Sequence, residues 1–167
     1  MAAKKNIVLF FIVITTGLIW YHGDTFAAGS TTDSLTWLWA HSGGGPDNEG
    51  PWKVAVDSSG NVYTIGWFPG TISFGSINLT SAGDWDVFLV KYNAVGNLLW
   101  AKRYGGSGKE EGLGLTIDKN GNLYIAGYFM GTTTFGSYTV TSRGDRDIFI
   151  AKCDSNGNVI WFVSDGG

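Results

Sequence analysis

Trp39, Trp100 and Trp161 stand 61 residues apart, and most of the chain follows the same period. Laid over each other without a gap, residues 39–99 and 100–160 are identical at 25 of 61 positions. The matches include Asp57 with Asp118, Phe74 with Phe135, Asp86 with Asp147, Phe88 with Phe149, and Lys91 with Lys152. A chain that repeats itself this way folds as a row of like units, each burying its surface against the next. Copy one is residues 39–99 and copy two is 100–160. A third copy begins at 161–167, and a leading segment extends the repeat region to 35–167.

Each copy contains two turns of one kind. "DSSGNVY" (57–63) and "DKNGNLY" (118–124) are close twins, while "NAVGN" (93–97) and "DSNGNV" (154–159) are looser relatives. The Asp side chain can accept N–H groups from the turn, and the Gly supplies the positive φ that closes a type I turn with a bulge. Apolar, β-prone segments flank every turn, as in "DIFIAKCD" before "NVIWFVS", so the turns read as hairpins. Four main strands per copy follow: about 52–57, 61–68, 86–92 and 97–103, then about 113–118, 122–129, 147–153 and 158–164. The stretch "MGTTTFGSYTVTSRGD" between the second and third strands is long enough for a small extra hairpin.

These strands are apolar on both sides. In 147–153, Ile148 and Ile150 point one way while Phe149, Ala151 and Cys153 point the other. A sheet with one wet face alternates apolar and polar residues, so these sheets are covered twice. An antiparallel sheet covered on both faces by copies of itself is a propeller blade. The expected fold is all-β: about two four-stranded antiparallel blades plus an extra N-terminal strand, Leu35–Ser42. Two blades do not close a ring, so the expectation extends to a piece of a larger propeller. Further blades in cis, or other copies of the chain, would then cover the terminal faces.

The composite pattern "WAKRYGGSGKEEG", Asp-x-x-Gly-Asn-x-Tyr, Phe-Gly, Thr-Ser, Gly-Asp-x-Asp, then Gly-Asn-x-x-Trp resembles the bacterial SBBP repeat, named for a seven-bladed β-propeller. The resemblance covers residues 37–167. It implies a propeller fold in an exported or cell-surface protein, and it implies no particular activity. Copy one departs from the pattern at "HSGGGPDNEGPW", where copy two has "KRYGGSGKEEGL".

The N-terminus is a separate object. Lys4 and Lys5 precede the apolar run 7–20, and the small residues of "DTFAAGS" follow. That order is the one a secretory signal uses. Residues 1–28 therefore read as a signal peptide cleaved near Ala27 or Ala28, which predicts a secreted or cell-surface location. An uncleaved signal would be the chain's one link to a membrane. The net charge of −3, with no basic stripe, argues against nucleic acid as a partner. A single cysteine, Cys153, excludes an intramolecular disulfide and any cysteine-based zinc site.

No triad, metal cluster, P-loop or dinucleotide fingerprint appears, and no cofactor is expected. Calcium at the Asp-x-x-Gly-Asn turns is the one metal worth weighing. Those turns lack the alternating carboxylates of an EF-hand loop, so they read as structural. The pairs Asp84/Asp86 and Asp145/Asp147 recur in both copies, whereas catalysis needs one site; they read as strand caps. Trp39, Trp100 and Trp161 read as packing residues and Cys153 as a buried thiol. His41 has no counterpart in copy two. The sequon Asn78-Leu79-Thr80 matters only in a eukaryotic secretory route.

Four residues remain as candidate ligand contacts. Trp67 and Tyr128 are matched aromatics late in the second strand, where an exposed ring could stack a sugar. Glu49 and Glu110 lie in loops joining one blade to the next, with Lys109 and Glu111 beside the second; solvated charge is the plain reading there. The expected function is an exported, non-enzymatic binding or scaffold module with a protein or glycan partner at the cell surface. The rivals are a lectin-like module and the non-catalytic part of a larger propeller enzyme.

Overall fold

The computed structural model describes residues 38–167 and, before them, the backbone of three short strands: β1 (Val8–Leu9), β2 (Ile12–Ile14) and β3 (Gly17–Ile19). The expected signal segment and its cleavage position otherwise lie outside the described residues. No helix among the described residues is long and apolar enough to cross a membrane.

Two four-stranded antiparallel sheets form the body. Blade one contains β5 (Gly50–Val56), β6 (Val62–Phe68), β9 (Asp86–Tyr92) and β10 (Leu98–Tyr104), in the order β10-β9-β6-β5. Blade two repeats it with β11 (Lys109–Ile117), β12 (Leu123–Met130), β15 (Asp147–Cys153) and β16 (Val159–Asp165). The extra hairpin is present in both copies, as β7 (Thr71–Phe74) with β8 (Ile77–Thr80) and β13 (Thr132–Phe135) with β14 (Tyr138–Thr141). The all-β, blade-like architecture is the one the double-sided apolar pattern predicts.

The turns explain why the strands meet in this register. In each Asp-led turn, Asp Oδ1 accepts the N–H groups two and four residues on, at 2.8–2.9 Å. Oδ2 accepts the amide of the Asn four residues on, at 2.8 Å. Asn93 holds the fourth turn through Oδ1 alone, from Val95 and Asn97. The glycine of each turn has φ between +75° and +86°, a region open to Gly and costly for other residues.

The small hairpins do a job that sequence did not suggest. Strand β4 (His41–Gly44) pairs with β7, Gly43 opposite Phe74. One period later the same contact recurs: Gly105 N–H donates to Thr134 O and Ser107 N–H to Thr132 O, at 3.2 and 3.3 Å. Each hairpin therefore receives the chain as it arrives from the preceding outer strand. The described part of the leading segment runs beside blade one, where Trp39 Nε1 donates to Ala94 O (3.1 Å) and His41 stacks on Tyr92.

Packing between the blades is continuous. Tyr63, Ile65, Val87 and Leu89 on one face of blade one share a core with Leu115, Ile125 and Phe149 of blade two. Burying Ile65, Val87 and Leu89 alone is worth roughly 6 kcal/mol, at about 2 kcal/mol per side chain. The other face of blade one, with Phe88, Val90 and Tyr92, is covered by Ile72 and Phe74 of its hairpin and by Trp39. Backbone bonds reinforce the junction: Asp84 N–H donates to Gly108 O and Glu110 N–H to Trp85 O, at 3.0 and 2.8 Å.

Candidate functional site

The strand register brings the four candidate residues to the same end of the blades. Gly50 pairs with Trp67, which sets Glu49 nearby; Glu110 pairs with Phe129, and Glu111 with Tyr128. Neighbours along a strand point to opposite faces. Glu110 therefore faces blade one, whereas Tyr128 lies on the far face of blade two. The candidates share an end of the fold and do not converge on one ligand.

Glu49 and Glu110 are buried, which corrects the expectation of solvated loop charge. The reason is local. Each carboxylate folds back onto a glycine N–H of its own loop, Glu49 Oε1 to Gly45 and Glu110 Oε2 to Gly106, both at 3.0 Å. They tie down the link between blades. Burial raises the pKa of Glu49, and Asp47 adds to the effect against the opposing Gly45 bond.

The aromatic candidates are only half-exposed, and their faces are engaged. Trp67 packs on Trp85 with ring centres 4.4 Å apart, and Lys109 of blade two lies 4.5 Å over Trp85. In blade two Arg146 takes the place of Trp85 and covers the Tyr128 ring at 4.6 Å. The Tyr128 hydroxyl donates to Glu111. Burial first, and the Glu111 carboxylate next, push its pKa up to about 12. A sugar stacking on either ring has to displace a neighbouring ring or cation. Sequence reasoning missed Trp85 and Arg146, although they occupy the variable position inside the matched Gly-Asp-x-Asp motif.

The other chemistry-bearing residues are also committed to structure. Asp86 accepts from Ser81 Oγ (2.8 Å) and Ala82 N–H, and Asp147 accepts from Arg143 N–H (3.2 Å), so both cap the loops before their strands. Trp100 meets Tyr63 edge-on at 6.0 Å, and Trp161 meets Tyr124 edge-on at 6.1 Å. Cys153 is a buried free thiol whose pKa burial pushes up to about 11. The turn aspartates spend both oxygens on donors inside the turn. Among the described residues no group of three or more His, Cys, Asp or Glu is placed to hold a metal.

The surface with the fewest commitments is the far face of blade two. Ile148 and Ile150 of β15 and Val163 of β16 lie exposed there, with Ile150 paired to Val163. They form one apolar strip on that face of the sheet.

Comparison with known proteins agrees with this architecture. Residues 99–128, which run from the outer strand of blade one through β11 into β12, match the β-propeller repeat family SBBP. The chain is 27% identical over 130 residues to an uncharacterized WD repeat-containing protein of Acanthamoeba polyphaga mimivirus, covering 66% of this chain and 9% of that protein. It is 30% identical over 125 residues to the regulatory protein FlaEY of Caulobacter vibrioides, covering 72% of this chain and 13% of that protein. The chain thus spans about a tenth of the length of each of these relatives. With its period, its four-stranded sheets and its matched segment in accord, the chain is built of propeller-type β-repeats, with a match to the SBBP repeat over residues 99–128.

Proposed function

We propose that the chain is a non-catalytic, exported propeller module that works by docking other protein surfaces against its blades. One observation carries the reading: the polar and aromatic candidates are spent on contacts within their own loops, within blade two and at the blade junction, while the apolar strip Ile148–Ile150–Val163 remains open. The occupant that fits the strip is another 61-residue unit, in cis or from a second copy. The corresponding face of blade one accepts such a unit already. Larger exposed apolar patches on soluble proteins mark interaction surfaces.

The reading is tested by adding residues 107–167 once more after Gly167, in phase with the 61-residue period, and comparing the product with the original chain. The added unit covers the Ile148–Ile150–Val163 strip and should raise the unfolding midpoint, while its own outer face presents the same apolar design one blade further on. An unchanged midpoint would overturn the docking assignment. Export is tested by expressing the full chain and sequencing the N-terminus of material outside the cell; a new terminus near Ala27 is expected.

A glycan-binding reading has one observation in its favour, the half-exposed Trp67–Trp85 pair beside Lys109. It requires weak saccharide binding that disappears when Trp67 and Tyr128 are both changed to Ala. Saccharide binding that survives the double change, or none in the parent, removes this reading.

A further inference from the structure

A buried ionic cluster sits at the junction of the blades, and the docking role does not use it. Glu110 is the second residue of β11, Asp86 begins β9, and both side chains are fully buried. Arg103 near the end of β10 pairs its guanidinium with Asp86. Thr133 of β13 is buried against the same group. Gly105 threads between the two carboxylates, and a Cβ at that position would collide with both. Two acids and one guanidinium thus meet across the width of a glycine.

The partners are unequally shared. Asp86 has Arg103, Ser81 and the Ala82 N–H. Glu110 has the Gly106 N–H on Oε2, while its Oε1 and the Thr133 hydroxyl are buried with no hydrogen-bond partner among protein atoms. A buried carboxylate without compensating donors is costly, and taking up a proton removes that cost. Asp86 has the donors, and Glu110 is the acid fitted to hold a proton.

We infer that Glu110 is a proton-operated latch on the blade junction: neutral, it keeps the Gly105–Gly108 link closed against β13, and ionised, it loosens that link. Burial first, and then the Asp86 charge, push Glu110 up to about 7; the Gly106 N–H, the nearby Thr133 hydroxyl and Arg103 pull the other way without prevailing. The unfolded chain ionises this group near the ordinary 4.5. Between those values the folded state binds more protons than the unfolded one. The latch therefore stabilises most at low pH, weakens as pH rises from 4.5 toward 7, and is released above that. Glu49 supplies an internal contrast, because Ile72 stands where Thr133 does in copy two.

The test is amide hydrogen exchange on the full chain at about pH 5.5 and about pH 8.5, corrected for intrinsic rates, with open-state populations read residue by residue. In the parent chain, protection at Gly105–Glu110 should fall roughly tenfold or more at the higher pH while β9 holds; tenfold corresponds to one pKa unit of linkage. Glu110→Gln should keep its protection at both pH values. Equal protection in the parent at both, or the same fall in Glu110→Gln, overturns the latch. Should Glu110→Gln fail to fold, the carboxyl carbon of Glu110 decides in the parent. A titration midpoint above about 6 supports the latch, and one at or below it overturns it.

Discussion

Strands β9 and β15 are built alike and fare differently. Val87 and Leu89 of β9 are wholly buried, while the residues one period on, Ile148 and Ile150 of β15, are 62% and 44% exposed. The opposite sides of the two strands do not differ in this way: Phe88 and Phe149 are both buried. Burial in this fold is thus a property of a face and its neighbour more than of the residue. Blade one has blade two against that face, and blade two presents the same apolar design to the outside.

The sharpest way to break the comparison is to put a charge on each face in turn. Leu89→Asp places a carboxylate in the inter-blade core with no partner. It should cost about 4 kcal/mol or more and leave the chain unfolded or nearly so in urea titration. Ile150→Asp places the same charge on the open strip. It should fall within about 0.5 kcal/mol of the parent, as exposed substitutions do, and should also reduce self-association. Similar losses in both would mean that the strip is covered in solution and that the two faces are equivalent after all.

The turns offer a second contrast of smaller size. Gly96 and Gly121 have nearly the same φ, +86° and +80°. A Cβ on Gly121 meets ordinary contact with Ser155, whereas one on Gly96 would run into the Trp39 ring. Gly121→Val should cost about 1–3 kcal/mol from backbone strain alone. Gly96→Val should cost more, because it also dislodges the leading segment from blade one. Thermal melts of the two variants check the order. An unchanged melt for Gly121→Val would remove the bulged type I turn as the device that sets the hairpin register.

The blades were legible in the sequence because their causes are local and repeated. Asp-x-x-Gly-Asn specifies a turn by its own hydrogen bonds, and a strand such as 147–153 shows its two apolar sides in seven residues. The expected strands differ from the observed ones in the leading segment, where residues 38–40 carry no strand and β4 covers His41–Gly44 in place of the expected Leu35–Ser42, and at β11, which starts at Lys109 and not near residue 113. That early start comes from the junction: Trp85 O receives the Glu110 N–H, and Trp85 bridges to Lys109, across blades. The candidate site was less legible for the same reason. Glu110 reads as a loop acid until Gly105, Asp86 and Arg103 close around it, and Tyr128 reads as a free ring until Arg146 lies on it. Both facts depend on segments far apart in the chain, and on variable positions inside the repeat.

The smallest contrast concerns the turn that uses Asn in place of Asp. Asn93 holds the same N–H groups as the aspartates and carries no charge. At Asp118 the Asn122 amide leads the groups that lower its pKa, ahead of the turn N–H groups and Lys152 and against a weaker contribution from burial. At Asp57 burial is the largest single influence and raises the value, yet the bonds from Asn61, Ser59 and Tyr63 together outweigh it. Asp154 behaves as Asp57 does, with Asn158 foremost among the groups that lower it. A lowered folded pKa means the folded state holds fewer protons than the unfolded one in that window. These turns therefore contribute their full stabilisation above the ordinary value of 3.8 and lose it as pH falls through the lower folded values. Asp118→Asn copies the Asn93 solution into blade two. Its melting temperature should change little at neutral pH, and its decline on acidification should be shallower than the parent's. The effect belongs to an exposed turn and will be modest, so the readout is the slope below about pH 4 and not the neutral value. If Asp118→Asn and the parent lose stability along the same acid curve, the carboxylate of this turn is dispensable and Asn93 is its equal at every pH.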